Sequence, residues 1–192
     1  MVIPVKSFSM GKRRLAGAVD ADTRARLGQA LAEHVSATVT AADLSPLIVT
    51  ADPEVTQWAA EAGYASLDDP GVGLDTAAAT GVAWVRQLSE TWIVLHSDLP
   101  LIGVEDVLAL VDTVRRGESI ISPSADGGTS AIGGREIIPF SYGFSSFHRH
   151  LPRLSYPRVL ARRGLLLDVD SPADLDAALS TPRGRWLGDV IG

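Results

Sequence analysis

Short apolar segments of strand length alternate with longer segments of helical periodicity along most of this chain. Strands are predicted at 2–5, 46–50, 64–67, 92–95, 119–123 and 164–169. Helices are predicted from Asp20 or Asp22 towards Thr40, at 53–62 and 75–88, around 104–111, and from Ser171 to the end of SPADLDAALS. This alternation is typical of an α/β domain with a mainly parallel central sheet.

Composition narrows the class of protein further. The 192 residues are 46% hydrophobic and 21% charged, which suits one globular domain at residues 1–180 followed by a tail at 181–192. The net charge of −6 argues against the broad basic face of a nucleic-acid binder. The absence of cysteine excludes disulfides, zinc–thiolate sites and cysteine nucleophiles. No apolar stretch approaches the ~18 residues of a membrane span, so we expect a cytoplasmic protein.

An aspartate follows the most apolar predicted strand, in the segment WIVLHSDLPL at residues 92–101. Asp98 at the carboxyl end of a buried strand is either a turn residue or a metal ligand. In open α/β sheets, ligands bind beyond the carboxyl ends of the strands, where the strand order switches. Asp98 is therefore predicted to lie at the functional edge of the sheet.

Both lysines of the chain lie in one loop, VKSFSMGKRRL, directly after the first predicted strand. Lys6, Lys12, Arg13 and Arg14 together form a cluster that suits a polyphosphate, since each cation neutralises charge and arginine offers forked donors. A solvated basic loop is the alternative interpretation. The loop is not a Walker A motif, because GxxxxGK[ST] is absent.

A second acidic group occurs in LLLDVDSP, where Asp168 and Asp170 are two residues apart. At the end of a strand this spacing directs both carboxylates to the same side of the sheet. Two such carboxylates repel unless a cation separates them, and a hard divalent ion with oxygen ligands is the usual solution. The alternative is a helix cap preceded by an exposed acid. Together with Asp98, these acids are predicted to hold Mg²⁺ on the phosphates of a nucleotide.

Glycine, serine and threonine are concentrated in SADGGTSAIGG (124–134) and SYGFSSFHRH (141–150). Glycines permit close backbone approach, and the hydroxyls of Thr129 and Ser146 are donors that suit a small phosphorylated acid. Glycine-rich turns without a binding role are the alternative. His148 and His150 lack an HxxxH or HExxH partner and are predicted to be surface helix residues.

The motifs VKSFSMGKRRL, GLDTAAATG, HSDLPL, GGTSA, YGFSSFHRH and DVDSPADL occur in this order. The chain thereby resembles, over roughly residues 2–180, the CofC/FbiD family of guanylyltransferases of coenzyme F-420 biosynthesis, which are small enzymes of the MobA-like nucleotidyltransferase fold. The DLP and DxDxPxDL elements are shared with the wider superfamily. KxxxxxKxRL combined with GGT and GxxS is similar to this family in particular.

The resemblance implies transfer of GMP from GTP to the phosphate of a three-carbon acid, either phosphoenolpyruvate or 2-phospho-L-lactate, with release of pyrophosphate. It implies that Mg²⁺ is bound by Asp98, Asp168 and Asp170, and that the triphosphate is stabilised by Lys6, Lys12 and Arg14. It also implies that Gly73 and Asp75 lie near the nucleotide. The acceptor would be received by Thr129, Gly143 and Ser146. Catalysis would rest on Lys6, Lys12, Arg14 and Asp98.

The chain departs from the family pattern at two places. Asp75 stands where the family usually has asparagine, and Ser124-Ala125 stands where it tends to have Asp-Arg. Three alternatives remain: a related nucleotidyltransferase with another acceptor, a nucleotide-sugar glycosyltransferase, and a non-catalytic nucleotide-binding protein. In the tail, Trp186 and Leu187 are predicted to pack on the domain, and the subunit contact of a homodimer is the alternative.

Overall fold

A seven-stranded sheet is the centre of the computed structural model, which describes residues 1–71 and 73–192. The strands are β1 (Val2–Pro4), β2 (Leu47–Thr50), β3 (Ala65–Asp68), β4 (Trp92–Leu95), β5 (Ser119–Pro123), β6 (Thr129–Gly134) and β7 (Pro157–Val159). The helices are α1 (Ala21–Ala41), α2 (Pro53–Glu61), α3 (Leu74–Val85), α4 (Val104–Arg115), α5 (Ser146–His150), α6 (Arg163–Leu166), α7 (Pro172–Leu179) and α8 (Leu187–Ile191).

The strand order is β3-β2-β1-β4-β6-β5-β7. β1 pairs in parallel with β2 and β4, and β2 pairs in parallel with β3. β6 is antiparallel to both of its neighbours, β4 and β5, and β5 pairs in parallel with β7. The predicted α/β class with a mainly parallel sheet is confirmed. The order changes direction between β1 and β4, so a crevice is expected at their carboxyl ends.

Alternate residues of each strand point to opposite faces of the sheet and into separate hydrophobic clusters. Ile3 and Ile48 contribute to the cluster that holds residues of α1, α2 and α4. Val2 and Leu47 contribute to the cluster that holds residues of α3. Because both faces are covered, the central strands are continuous apolar runs, which explains why sequence reasoning located them.

The boundaries of α1 and α7 follow local capping. The side chain of Asp20 accepts a hydrogen bond from the backbone N–H of Thr23 at the start of α1. Ser171 accepts from Asp174 N at the start of α7, and Pro172 occupies the first helical position as predicted.

The structure corrects the sequence prediction in two segments. The glycine-rich segment 124–134 contains strand β6, and not only a turn. The predicted strand GLLLDV (164–169) is wrong: its first residues belong to the short helix α6, and extended loop follows. The sheet position beside β5 is taken instead by β7, which has three exposed residues and therefore little hydrophobic signal in the sequence.

The last residues pack against α1 and α7. Leu187 is fully buried in a cluster with Leu27, Leu31 and Leu175, and the indole N–H of Trp186 donates to Pro100 O at 3.2 Å. The predicted packing of Trp186 and Leu187 on the domain agrees with these contacts. The division of the chain at residue 180 stays a prediction. None of the helices in the described ranges combines the length and the apolar character that a membrane crossing requires.

Candidate active site

A cavity of about 710 Å³ opens at the carboxyl ends of β1 and β4. All eleven residues that the family resemblance implies for the site line it: Lys6, Lys12, Arg14, Gly73, Asp75, Asp98, Thr129, Gly143, Ser146, Asp168 and Asp170. They come from six separate parts of the chain. The fold therefore brings these residues to one place, as the switch in strand order predicts.

The loop after β1 directs Lys12 inward. Lys12 has a left-handed backbone conformation, with φ of 50°, and precedes a short 3₁₀ helix at Arg13–Leu15 that is anchored by buried Leu15. Its Nζ donates to Asp98 Oδ2 at 2.7 Å and to Asp170 Oδ1 at 3.2 Å. Of the predicted basic cluster, Arg13 is exposed and lies outside the cavity lining.

Asp98 lies beyond the end of β4, where its backbone carbonyl accepts a hydrogen bond from Val169 N at 3.1 Å. Burial acts to raise the pKa of the Asp98 carboxyl, but the charges of Lys12 and His96 and the hydrogen bond from Lys12 together outweigh burial and lower the pKa. Asp98 is therefore ionised at neutral pH. Its second carboxylate oxygen, Oδ1, is buried and has no hydrogen-bond partner among the described residues.

Asp168 and Asp170 reach the cavity from a loop, not from the strand that the sequence predicted. The hydrogen bond from Val169 N to Asp98 O ties this loop to the end of β4, and the Val169 side chain is buried in the core. The residues on either side of Val169 consequently face the cavity. Burial, and then the charges of Asp98 and Asp126, raise the pKa of Asp168 to about 7.

The donor set suits a hard divalent cation. Among the described residues, no three acidic or histidine side chains are already arranged as a metal site. Asp98 Oδ1 is nevertheless buried without a hydrogen-bond partner in the described ranges, and the pKa of Asp168 is raised partly by neighbouring carboxylates. Such a concentration of oxygen donors is what Mg²⁺ or Mn²⁺ binds, and a cation would relieve the repulsion.

Sequence reasoning missed two residues that also line the cavity, His96 and Asp126. The Nδ1 atom of His96 lies 4.0 Å from Asp98 Oδ1, and burial lowers the pKa of this imidazole. The position two residues before Asp98, on the same side of an extended segment, is the signal that was available. Asp126 accepts from Gly128 N at 2.8 Å in an Asp-Gly turn, a signal that only indicates a turn.

Thr129 and Ser146 line the far wall of the cavity, and His150 lies directly behind them. Ser146 Oγ donates to Thr129 Oγ1 at 3.1 Å, and His150 Nδ1 lies 3.0 Å from the same oxygen. His150 is fully buried, so its predicted place on the surface is wrong, whereas His148 is exposed as predicted. The helix α5 is short and turns His150 towards Tyr142 and Phe140, whose rings pack against it.

Asp75 contacts the loop that carries Gly143. Its Oδ1 accepts a hydrogen bond from Tyr142 N at 2.6 Å. Arg149 holds the same loop from the other side, donating to Ser141 O at 3.1 Å and to Tyr142 O at 2.8 Å. The carboxylate at position 75 thus has a backbone N–H as its partner, which explains how an acid is accommodated near a predicted phosphate site.

A second cavity of about 240 Å³ adjoins the first, since Lys6, Ser7, Gly73 and Leu74 line both. It lies beyond the ends of β1 and β2 and is lined also by Asp69. Asp69 Oδ1 is buried and has no hydrogen-bond partner in the part of the chain that the structure describes. A flat ligand with hydrogen-bond donors on one edge suits this carboxylate.

A mainly parallel sheet with a cation-bearing loop after its first strand, and with acids beyond its fourth, is an arrangement that suits a nucleotidyltransferase. Residues 1–175 match the family model described as "Guanylyl transferase CofC like". The chain belongs to this family, and the predicted family and fold are confirmed.

Named relatives cover most of the chain. A Sphaerobacter thermophilus protein named phosphoenolpyruvate guanylyltransferase is 35% identical over 185 residues, which cover 91% of this chain and 89% of the relative. A Methanothermobacter thermautotrophicus protein named 2-phospho-L-lactate guanylyltransferase is 29% identical over 192 residues, which cover 99% of this chain and 82% of the relative.

Solved structures share the fold at low sequence identity. A nucleotidyl transferase from Methanothermobacter superposes with a TM-score of 0.62 and 16% identity, covering 98% of this chain and 99% of that one. A Mycobacterium tuberculosis H37Rv protein solved in complex with manganese has a TM-score of 0.58 and 15% identity, covering 92% of this chain and 95% of that one.

Proposed function

We propose that this protein is a cytoplasmic guanylyltransferase of coenzyme F-420 biosynthesis that transfers GMP from GTP to a phosphorylated three-carbon acid. Phosphoenolpyruvate is the proposed acceptor, because the relative at 35% identity is named for it. 2-Phospho-L-lactate is the alternative, for which a second relative is named. The observation that carries the proposal is the gathering of all eleven predicted residues around one cavity.

The reaction needs alignment more than acid–base catalysis. A phosphate oxygen of the acceptor attacks the α-phosphorus of GTP, a new P–O–P bond forms, and the bond to the β-phosphate oxygen breaks to release pyrophosphate. The acceptor phosphate is already a nucleophile at neutral pH, so no general base is required. A cavity lined by acids and cations suits this chemistry.

The basic loop would neutralise the charge that develops on the leaving pyrophosphate. Lys6, Lys12 and Arg14 reach the cavity from the segment after β1. Burial acts to lower the pKa of Lys12, but the charges of Asp98 and Asp170 outweigh it and raise the pKa, so the ammonium stays charged. Preorganised cations in a site with little water stabilise such a transition state strongly.

Asp98, Asp168 and Asp170 would hold the divalent cation that the family implies, and Mg²⁺ is the proposed ion. When bound, the ion supplies charge neutralisation and orientation at the phosphates. The backbone hydrogen bond from Val169 N to Asp98 O holds the end of the β4 segment and the 168–170 loop together, and so positions the three carboxylates that these segments carry.

The acceptor would bind against the opposite wall. Thr129 offers its hydroxyl from β6, Ser146 on α5 donates to that hydroxyl oxygen, and Gly143, with φ of +96°, permits close backbone approach without a Cβ. The smaller cavity would take the base, because guanine presents its N1–H and N2 amino donors to a carboxylate such as Asp69.

Pyrophosphate release by the purified protein tests the proposal. The assay combines Mg²⁺ and GTP with phosphoenolpyruvate, 2-phospho-L-lactate or 3-phospho-D-glycerate in turn, and is repeated with ATP and CTP. Release with GTP and one acid is the expected result, and it also names the acceptor. Binding of GTP without release in any combination would contradict the proposal and favour a non-catalytic nucleotide-binding protein.

Replacing a carboxylate tests the acidic group directly. Asp98→Asn is expected to lower turnover by about 100-fold or more, because the charge acts on the developing transition state. Asp112→Asn, an exposed position on α4, is the matched control. Equal turnover in the two folded variants would remove Asp98 from the catalytic machinery.

A further inference from the structure

His150 has both of its ring nitrogens occupied, although it lies behind the cavity wall. Its side chain is fully buried at the end of α5. Nε2 accepts a hydrogen bond from the backbone N–H of Ser141 at 2.8 Å. A backbone N–H can only donate, so Nε2 must carry a lone pair, and the proton of a neutral imidazole must lie on Nδ1.

The protonated Nδ1 faces Thr129. The distance from Nδ1 to Thr129 Oγ1 is 3.0 Å, so His150 donates and the threonine oxygen accepts. Ser146 Oγ donates to the same oxygen at 3.1 Å. A hydroxyl oxygen has two lone pairs and one proton, so two accepted bonds leave Thr129 with its own proton as the remaining polar function.

Thr129 has limited freedom in where it donates that proton. The residue is 1% exposed, and the part of its surface that remains borders the cavity. Burial and then the charge of Arg153 lower the pKa of His150 to about 4, which keeps the imidazole neutral at physiological pH and maintains the arrangement.

We propose that His150 is a positioning residue for the acceptor: its Nδ1–H orients the Thr129 hydroxyl so that this hydroxyl donates into the cavity, to an anionic oxygen of the phosphorylated acid. The same imidazole holds Ser141 N, and with it the start of the loop that carries Gly143. This role deepens the proposed function and rests on it.

Two substitutions at His150 distinguish the hydrogen bond made by Nδ1 from the one made by Nε2. An asparagine amide reaches the position of Nδ1 and keeps a donor for Thr129, whereas a glutamine reaches the position of Nε2 and keeps an acceptor for Ser141. With wild-type turnover established, His150→Gln is expected to raise the KM for the acceptor about tenfold, the worth of one hydrogen bond to a charged ligand. The KM for GTP should stay unchanged, and His150→Asn should retain most of the wild-type acceptor KM.

His148→Gln is the control, since His148 is exposed on the same helix. A merely structural role would lower stability or turnover in both His150 variants without separating the acceptor KM from the GTP KM. Equal acceptor KM values for wild type and His150→Gln, or equal rises in both His150 variants, would overturn the proposal.

The tautomer is measurable independently of activity. Long-range ¹⁵N–¹H correlation of the four histidines in the intact protein at pH 7 is expected to show His150 protonated at Nδ1 only, assigned by loss of its signals in His150→Gln. A charged His150 or an Nε2–H tautomer overturns the role of His150 and leaves the proposed function standing. Wild-type silence with every acid overturns the proposed function, and this role with it.

Discussion

The ammonium of Lys12 is held between two carboxylates at the bottom of the cavity. Its Nζ lies 2.7 Å from Asp98 Oδ2 and 3.2 Å from Asp170 Oδ1, and only 10% of the side chain is exposed. The left-handed backbone of a non-glycine residue costs of order 1 kcal/mol or more. Two charge-assisted hydrogen bonds offset that cost, so the loop conformation and the position of the charge depend on each other.

Removing the Lys12 charge is expected to disable the site. Lys12→Met should lower turnover by about 100-fold or more, because a preorganised cation is lost and two carboxylates are left to repel each other. Pyrophosphate release measures the loss. Arg13→Met is the matched control, since Arg13 is adjacent in the chain but exposed outside the cavity. Similar rates of pyrophosphate release in both variants would favour the alternative interpretation, in which the basic loop is a solvated surface loop.

Asp69 is expected to select the base. Asp69→Asn exchanges one carboxylate oxygen for an amide that donates, so guanine loses a partner and xanthine, with a carbonyl at C2, gains one. We expect the ratio of kcat/KM for GTP over XTP to fall by about 100-fold, the scale of one mismatched buried hydrogen bond. Asp68→Asn, at the exposed end of β3, is the control. An unaltered ratio would place the base elsewhere.

At the scale of elements, the strands and helices with strong hydrophobic periodicity were predictable from sequence. β4 and β5 have the predicted bounds, 92–95 and 119–123. β6 was missed because TSAIGG combines small residues that also suit a turn, and its strand character depends on the approach of β4. The segment 164–169 has the composition of a strand, but β7 already occupies the adjacent sheet position. Local patterns contain no information about which segment takes that place.

The residues that line the cavity were predictable in part, since His96 and Asp126 were missed and Arg13 lies outside, and their geometry was less predictable. Acids and lysines at strand ends point to one edge of an α/β sheet, and all eleven predicted residues line the cavity there. The burial of His150 and the pairing of Asp75 with Tyr142 N were not predictable, since both arise from the packing of a loop whose path has no periodicity.

Gly133 in β6 tests the close approach of two strands. A Cβ at this position would lie 2.6 Å from Trp92 O and 2.8 Å from Ile93 Cγ1, which forces β4 and β6 apart. Gly133→Ala is expected to lower the free energy of unfolding by about 1–3 kcal/mol, the usual cost of overpacking. Urea denaturation measures this change, with Gly17→Ala as the control because a Cβ there meets no atom of the described residues within 4 Å. An unchanged free energy of unfolding in Gly133→Ala would show that β4 and β6 can move apart at this point without cost.

At the scale of the whole molecule, three hydrophobic clusters hold the described residues together, and the third includes the C-terminal segment. Leu15 of the basic loop shares this cluster with Leu187, and Val169 of the acidic loop belongs to it as well. The two loops that supply Lys12 and Asp170 are thus anchored in the same cluster as the last helix. Stability at the C-terminus and order in the site are expected to be linked.

Leu187→Ala measures this link. Truncating a fully buried leucine is expected to lower the free energy of unfolding by about 2–5 kcal/mol, through lost burial and the cavity that remains. Val190→Ala, which is partly buried on the same helix, should cost less. A chain ending at Ser180 should be less stable than either. Full stability of that shortened chain would support residues 1–180 as the complete domain.

The exposed strand β7 is an edge strand of the sheet, and its features disfavour pairing with a strand from another chain. An unpaired edge invites another chain to add a strand, and proteins limit this with short edges, prolines and charges. β7 has three residues, begins with Pro157, and carries Arg158, whose guanidinium pairs with Glu118 at 2.9 Å. Two copies of this protein are therefore not expected to join into a continuous sheet through β7, and a homodimer would have to use another surface.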